Sequence, residues 1–275
     1  MTRLQLRSIL FSGIFLACFL SVTEPLEAQD LKLHTTPGGV EYGTWGSPEP
    51  GPAPTLFIFS GTIEGTLKDA YFRQCGNALA EQGYLCVSID LPCHGKQAID
   101  GETSGLGGWN LRIANGENVA AEFQKRASEV LDHLIQTKVA DPDQIAAAGT
   151  SRGGYMAIQF AAADERVKCV AGFAPVTDLA ALREFAGNEE LPLVKRLSLE
   201  SQAKQLAGRP VWVIIGDRDD RVSTKSAMDF ALALSAEAVA KDVPSRLELH
   251  IISEPRGHTT PKGAAEQAAS WILQQ

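Results

Sequence analysis

Residues 145–154 read Ile-Ala-Ala-Ala-Gly-Thr-Ser-Arg-Gly-Gly, and Tyr155 to Ala163 continue as a helix-compatible stretch. A short apolar run therefore ends in Gly149-Thr150-Ser151-Arg152-Gly153 and turns at once into a helix. A serine hydroxyl is a weak nucleophile until it is held exposed beside a base. A sharp strand-to-helix turn holds it so, lifting the side chain to the tip of a sheet and aiming the following backbone N–H groups at the same spot. Glycines on either side remove side chains that would collide in so tight a bend. The motif alone is cheap. With 25 glycines in 275 residues, a bare G-x-S-x-G arises by chance in roughly one chain in ten, so its surroundings have to carry the reading.

Working outward, short apolar runs alternate with longer amphipathic stretches. Strands are predicted at Thr55–Ser60, Tyr84–Asp90, Gln144–Gly149, Val167–Pro175, Val211–Gly216 and Leu247–Ile252. Helices are predicted near Asp69–Gln82, Val119–Lys138, Tyr155–Ala163, Ser226–Lys241 and Pro261–Leu273. The strands are apolar throughout rather than at every second position, which a sheet covered on both faces requires. Strand–helix alternation of this kind gives a mostly parallel α/β sheet. A hairpin precedes it, Leu31–His34 and Val40–Trp45 around Pro37-Gly38-Gly39. Two long connections remain. Residues 91–118 are glycine-rich and polar, with Trp109 and Arg112 inside; residues 176–209 carry spaced leucines and read as a candidate cap or lid.

The first 28 residues have the layout of an export signal. Arg3 and Arg7 supply a basic start, Ile9 to Val22 an apolar core, and Leu26-Glu27-Ala28 a small-residue cleavage site before Gln29. The apolar run is short for a stable membrane span. The expectation is a secreted or periplasmic protein whose residues 29–275 form one domain. The net charge of −8 without a basic cluster argues against nucleic acid as a partner. Cys75, Cys86, Cys93 and Cys169 follow the signal. Export permits a Cys75–Cys93 or Cys86–Cys93 bridge, although Cys86 and Cys169 sit in strand-like runs where buried thiols are ordinary. No metal-ligand spacing is present, and no cofactor is expected.

A serine nucleophile on such a sheet needs a histidine as base and an acid to orient it, in the chain order serine, acid, histidine. Only His250 and His258 follow Ser151. His250 lies inside a predicted strand, whereas His258 lies in Glu254-Pro-Arg-Gly-His258, a loop at the same sheet edge as Ser151. The acid should follow Val211–Gly216, where Asp217, Asp219 and Asp220 crowd one turn. Spacing favours Asp219, three residues before the apolar Val222 that can anchor the turn. The oxyanion would be held by the N–H of Arg152, directly after the nucleophile, and by that of Thr62, in the loop after Thr55–Ser60. The Arg152 side chain is expected to pack or pair at the base of the turn. His94, in Asp90-Leu-Pro-Cys-His-Gly95, reads as a hydrogen-bonded turn residue.

Taken together, Ser60-Gly61-Thr62, Asp90 to Gly95, Gly149 to Gly154, Gly216-Asp-Arg-Asp219 and Gly257-His258 resemble the α/β-hydrolase fold over essentially the whole of residues 29–275. Gly154 and the run Phe173-Ala-Pro-Val-Thr-Asp178 resemble its prolyl-oligopeptidase and dienelactone-hydrolase branches. The resemblance implies Ser151 as nucleophile, Asp219 as acid and His258 as base. The leading expectation is hydrolysis of a small-molecule carboxylic ester through an acyl-enzyme, with a rate that rises as His258 loses its proton. A small exported serine peptidase and a non-catalytic binding protein on the same scaffold remain open, and the sequence leaves the oligomeric state undetermined.

Overall fold

The structure is a computed structural model and describes residues 30–46 and 48–275. The predicted export signal, residues 1–28, lies outside the described residues. Eight strands form one sheet: β1 (Lys32–Thr35), β2 (Glu41–Trp45), β3 (Ala53–Phe59), β4 (Leu85–Ser88), β5 (Ala140–Thr150), β6 (Val167–Phe173), β7 (Val211–Gly216) and β8 (Leu247–Ile252). Their spatial order is β1-β2-β4-β3-β5-β6-β7-β8. β1 and β2 join as the antiparallel hairpin, β2 runs antiparallel to β4, and every other pairing is parallel.

Successive side chains of a strand point to opposite faces, and here both faces are covered. On β3, Phe57 and Phe59 enter one core with Phe123, Tyr155, Phe160 and Phe230, while Leu56 and Ile58 enter the other with Leu67, Leu79 and Trp271. β7 divides the same way, Val213 and Ile215 against Trp212 and Ile214. This is why the strands read as unbroken apolar runs. Each fully buried Leu, Ile or Phe contributes about 1.5–3 kcal/mol, so both layers are needed to hold the central strands in register.

The covering helices are α1 (Ile63–Leu67), α2 (Ala70–Arg73), α3 (Gly76–Ala80), α4 (Gly105–Ala114), α5 (Val119–Gln136), α6 (Arg152–Ala163), α7 (Pro192–Arg196), α8 (Ala203–Leu206), α9 (Thr224–Ala240) and α10 (Ala264–Ile272). α5 starts where its sequence says it should, because the Asn118 carboxamide accepts the N–H of Ala121 and satisfies a donor of the first turn. The single helix predicted over Asp69–Gln82 is broken. Gln74 adopts φ 45° and ψ −124°, which ends α2 before α3 begins.

The two long connections are packed. Residues 91–118 contain α4, whose Trp109 is fully buried and donates its indole N–H to the Pro92 carbonyl (2.6 Å). In residues 176–209, Leu179, Leu182, Phe185, Val194 and Leu197 are buried in the core. The Tyr155 hydroxyl of α6 donates to the Leu197 carbonyl (2.8 Å), and Asn188 donates to Asn110 (2.9 Å), which ties the two segments together. Neither of the bridges that export would permit, Cys75–Cys93 or Cys86–Cys93, forms: Cys75, Cys86, Cys93 and Cys169 are free and buried. Burial pushes the Cys86 and Cys169 thiols up to about 12. No helix among the described residues is long and apolar enough to cross a membrane.

Candidate active site

β5 runs into α6 through Ser151, which sits at φ 56° and ψ −119°. A non-glycine residue pays strain there and keeps the conformation only if its surroundings enforce it. β6, the segment after it and α6 do so: Ser151 donates its N–H to the Phe173 carbonyl (2.9 Å), and its own carbonyl accepts from Val176 (3.1 Å) and Tyr155 (3.1 Å). The flanking glycines are required by space. A Cβ on Gly153 would lie 2.0 Å from the Phe59 carbonyl oxygen, and one on Gly149 would lie 2.3 Å from the Gly153 backbone. Helix α6 thus starts directly against the end of β3, a closeness that only a bare backbone permits.

The turn after β7 presents Asp219, whose side chain is shut off from solvent. One carboxylate oxygen accepts the N–H groups of Arg221 (3.1 Å) and Val222 (3.2 Å), and the buried Val222 side chain anchors the turn. The other lies 2.8 Å from Nδ1 of His258, and Nε2 of that ring lies 3.0 Å from Oγ of Ser151. A carboxylate can only accept, so Nδ1 carries the proton and Nε2 offers its lone pair to the serine hydroxyl. The three predicted side chains, from three separate loops, meet in one chain of hydrogen bonds.

The neighbouring acids have other uses. Asp217 accepts the N–H of Glu254 (2.9 Å), fastening the turn after β7 to the loop that carries His258. In that loop Arg256 pairs with Glu254 (2.6 Å) and holds its carboxyl down to about 2. His250 lies on the edge strand β8 and packs on Trp212, with ring centroids 5.2 Å apart. His94 turns its Nδ1 toward the Pro92 carbonyl (2.8 Å), and burial lowers its pKa.

The two predicted backbone donors stand at helix starts. Arg152 is the first residue of α6 and Thr62 caps α1, so the N–H of each has no preceding turn to bond. The Thr62 hydroxyl accepts from Gly65 (2.9 Å). The Thr62 loop is shaped by Asp90, which the sequence motif contains without revealing its role: its buried carboxylate accepts from Ile63 (2.8 Å) and Lys96 (2.7 Å). The only hint was an acid closing an apolar strand. The Arg152 guanidinium packs back as anticipated, donating Nε–H to the Ser60 carbonyl (3.0 Å). A cavity of about 230 Å³ opens over Ser151 and His258, bounded by Ser60, Tyr71, Phe72, Arg152 and Ala174. A larger one of about 480 Å³, lined by Leu33, Glu41, Thr62 and Lys96 among others, touches none of Ser151, Asp219 and His258.

Residues 77–271 match the family model described as "Prolyl oligopeptidase family". The chain belongs to the prolyl oligopeptidase family. It is accordingly a serine hydrolase. No curated protein matches it. Among solved structures it is similar to TT1662 from Thermus thermophilus (TM-score 0.65, 20% identity, 90% of this chain and 98% of that one). It is similar also to a cold-adapted esterase from an Arctic intertidal metagenomic library (0.62, 19%, 89% and 92%). Dipeptidyl peptidase 4 of Porphyromonas gingivalis aligns over 90% of this chain at TM-score 0.66 and 19% identity, but this chain spans only 35% of that one. At these identities the likeness speaks to the fold, and it agrees with the α/β-hydrolase architecture described above.

Proposed function

We propose that this family member is an exported esterase that cleaves small carboxylic esters, with Ser151 as nucleophile, His258 as general base and Asp219 as the acid that orients it. The observation carrying the reading is the continuous contact Asp219–His258–Ser151, 2.8 Å and then 3.0 Å, at a strained serine exposed in a cavity. In the first step the Ser151 oxygen attacks the ester carbonyl while Nε2 of His258 takes the hydroxyl proton. The buried Asp219 carboxylate stabilises the imidazolium formed. The carbonyl oxygen becomes an oxyanion held by the N–H groups of Arg152 and Thr62, whose supply of roughly 3–4 kcal/mol per donor is realised mainly in the transition state. Collapse of the tetrahedral species breaks the bond to the alkoxy group, which leaves as the alcohol with the proton from Nε2. Water then attacks the acyl-enzyme by the same route and restores the serine.

The cleft over Ser151 and His258, about 230 Å³, accommodates a short acyl group and a small alcohol. Export rests on Arg3, Arg7 and the apolar run Ile9–Val22. The test is hydrolysis of p-nitrophenyl acetate and butyrate by the purified protein, with fluorophosphonate labelling of Ser151. A Ser151→Ala protein that still hydrolyses these esters ends the proposal, and mature protein whose N-terminus is not near Gln29 ends the export part of it. The family assignment keeps a second reading in view, cleavage of peptide bonds. Turnover of a peptide library with negligible esterase activity would replace the first reading by this one.

A further inference from the structure

Gln74 is a buried polar side chain that belongs to none of the catalytic groups, yet it touches two of the segments that carry them. It is 5% exposed. Its side-chain NH₂ donates one hydrogen to Thr260 Oγ1 (2.9 Å) and the other to Thr150 Oγ1 (3.2 Å). Thr150 immediately precedes Ser151, and Thr260 follows His258 by two residues. A single amide therefore spans the end of β5 and the histidine loop. α2 supplies a second tie to the same loop, because the Tyr71 hydroxyl accepts the N–H of Thr260 (3.2 Å).

The backbone at Gln74 gives an independent argument. At φ 45° and ψ −124° a glycine would sit with little strain, whereas a residue with a Cβ pays for the conformation. A helix break alone would be better served by glycine. The side chain that occupies this site instead uses its amide hydrogens on the two threonines beside Ser151 and His258. The other side of the histidine loop is fixed separately, through Glu254 to Asp217 and Arg256. Without Gln74 the part of the loop after His258 would keep only the Tyr71 tie to α2.

We infer that Gln74 is a positioning residue for hydrolysis: by bridging Thr150 and Thr260 it sets the approach of the His258 ring to the Ser151 hydroxyl. The inference rests on the roles proposed above for those two side chains. Displacements near 1 Å at reacting groups lower rates by as much as about a hundredfold, while substrate binding need not change.

The experiment compares wild type with Gln74→Gly, Gln74→Leu, Thr260→Val and the Gln74→Leu/Thr260→Val pair, reading kcat and KM on p-nitrophenyl acetate, the rate of fluorophosphonate labelling, and Tm. Expected is a fall in kcat of roughly ten- to a hundredfold with KM within about twofold and labelling slowed in parallel. Gln74→Gly, relieved of backbone strain, should keep or raise Tm while losing activity, which a purely structural role would not produce. Thr260→Val, at the surface end of the bridge, should fold and lose activity as well, and the double variant should be no slower than the worse single. A folded Gln74→Gly with wild-type kcat, or losses that multiply in the double variant, would overturn the inference. Labelling reads the Ser151–His258 pair without any ester, so a wild type that labels but does not hydrolyse refutes only the ester reading. One that does neither overturns both.

Discussion

The contact between Gly153 and the end of β3 allows one substitution to be followed from coordinates to rate. An alanine Cβ at this position would stand 2.0 Å from the Phe59 carbonyl oxygen, 2.3 Å from its carbon and 2.7 Å from Cα of Ser60. Such contacts do not occur below 3.0 Å, and the obstructing atoms are backbone inside a parallel sheet. The start of α6 must therefore retreat by about 1 Å or more, and Ser151 and the Arg152 N–H retreat with it. The Thr62 loop, fixed to β4 by Asp90, stays behind. A shift of that size lowers kcat/KM by about a hundredfold, equal to about 2.7 kcal/mol of transition-state stabilisation. Overpacking removes about 1–3 kcal/mol of stability, offset in part by the gain of up to about 1 kcal/mol from replacing a helical glycine. The assay is p-nitrophenyl acetate hydrolysis beside thermal melting, with Gly39→Ala as control. Gly39 has φ 92° and open space where its Cβ would go, so that variant should lose about 1 kcal/mol of stability and no activity. A Gly153→Ala protein within threefold of wild type in kcat/KM would refute the claim that this close packing fixes the nucleophile against its oxyanion donors.

Asp219→Asn would keep the acceptor for Arg221 and Val222 but place an NH₂ against Nδ1, forcing the imidazole into the tautomer that cannot take the serine proton. Its kcat should fall about ten-thousandfold with little change in Tm, and a loss below tenfold would dismiss the orienting role. Thr62→Ala keeps the N–H and should lower stability by about 1 kcal/mol through the lost cap, leaving kcat near wild type. Thr62→Pro removes the donor and should lower kcat by about 10²–10³-fold; equal activities in the two would reject Thr62 as an oxyanion donor. The Cys86 and Cys169 thiols stand near 12 in the folded protein against an ordinary value of 9, and burial shifts Cys75 in the same direction. Unfolded thiols ionise first, so stability is intact below pH 9 and is lost as pH rises toward 12. The urea midpoint should drop between pH 8 and pH 10.5, and a constant midpoint would count against thiol burial as the cause.

The sheet was legible because doubly covered strands must be apolar on both faces, and each of the six predicted parallel strands lies where the runs placed it. The site was legible for a related reason. A candidate nucleophile at a strand end, an acid in the turn after the penultimate strand and a histidine past the last strand leave few choices, and Asp219 accepts the Val222 N–H and lies 2.8 Å from His258. What stayed hidden depends on contacts made at a distance. Gln74 breaks a stretch that looks helical throughout, and its amide reaches Thr150 and Thr260, partners far away in the sequence. α4 was read as loop, since Gly105, Gly107 and Gly108 dilute its pattern. A Cβ at Gly108 would meet the Thr103 carbonyl oxygen at 2.2 Å and Cys93 Cβ at 2.8 Å, contacts that come from the folded turn and from a second segment rather than from helix propensity. Asp90 reads as the end of a strand, and its two backbone partners, Ile63 at the start of α1 and Lys96, lie before and after it in the chain.

Ser151, Asp219 and His258 each stand at the exit of a different strand, and β7 and β8 join the sheet one after the other beyond β6. β8 is an edge strand of the sheet, hydrogen-bonded to β7 alone. A nascent molecule that has closed its central strands but has not yet docked β8 would own an exposed serine and nothing to deprotonate it. Hydrolysis by the proposed triad therefore needs this outer edge in place, and activity would report on the completeness of the sheet.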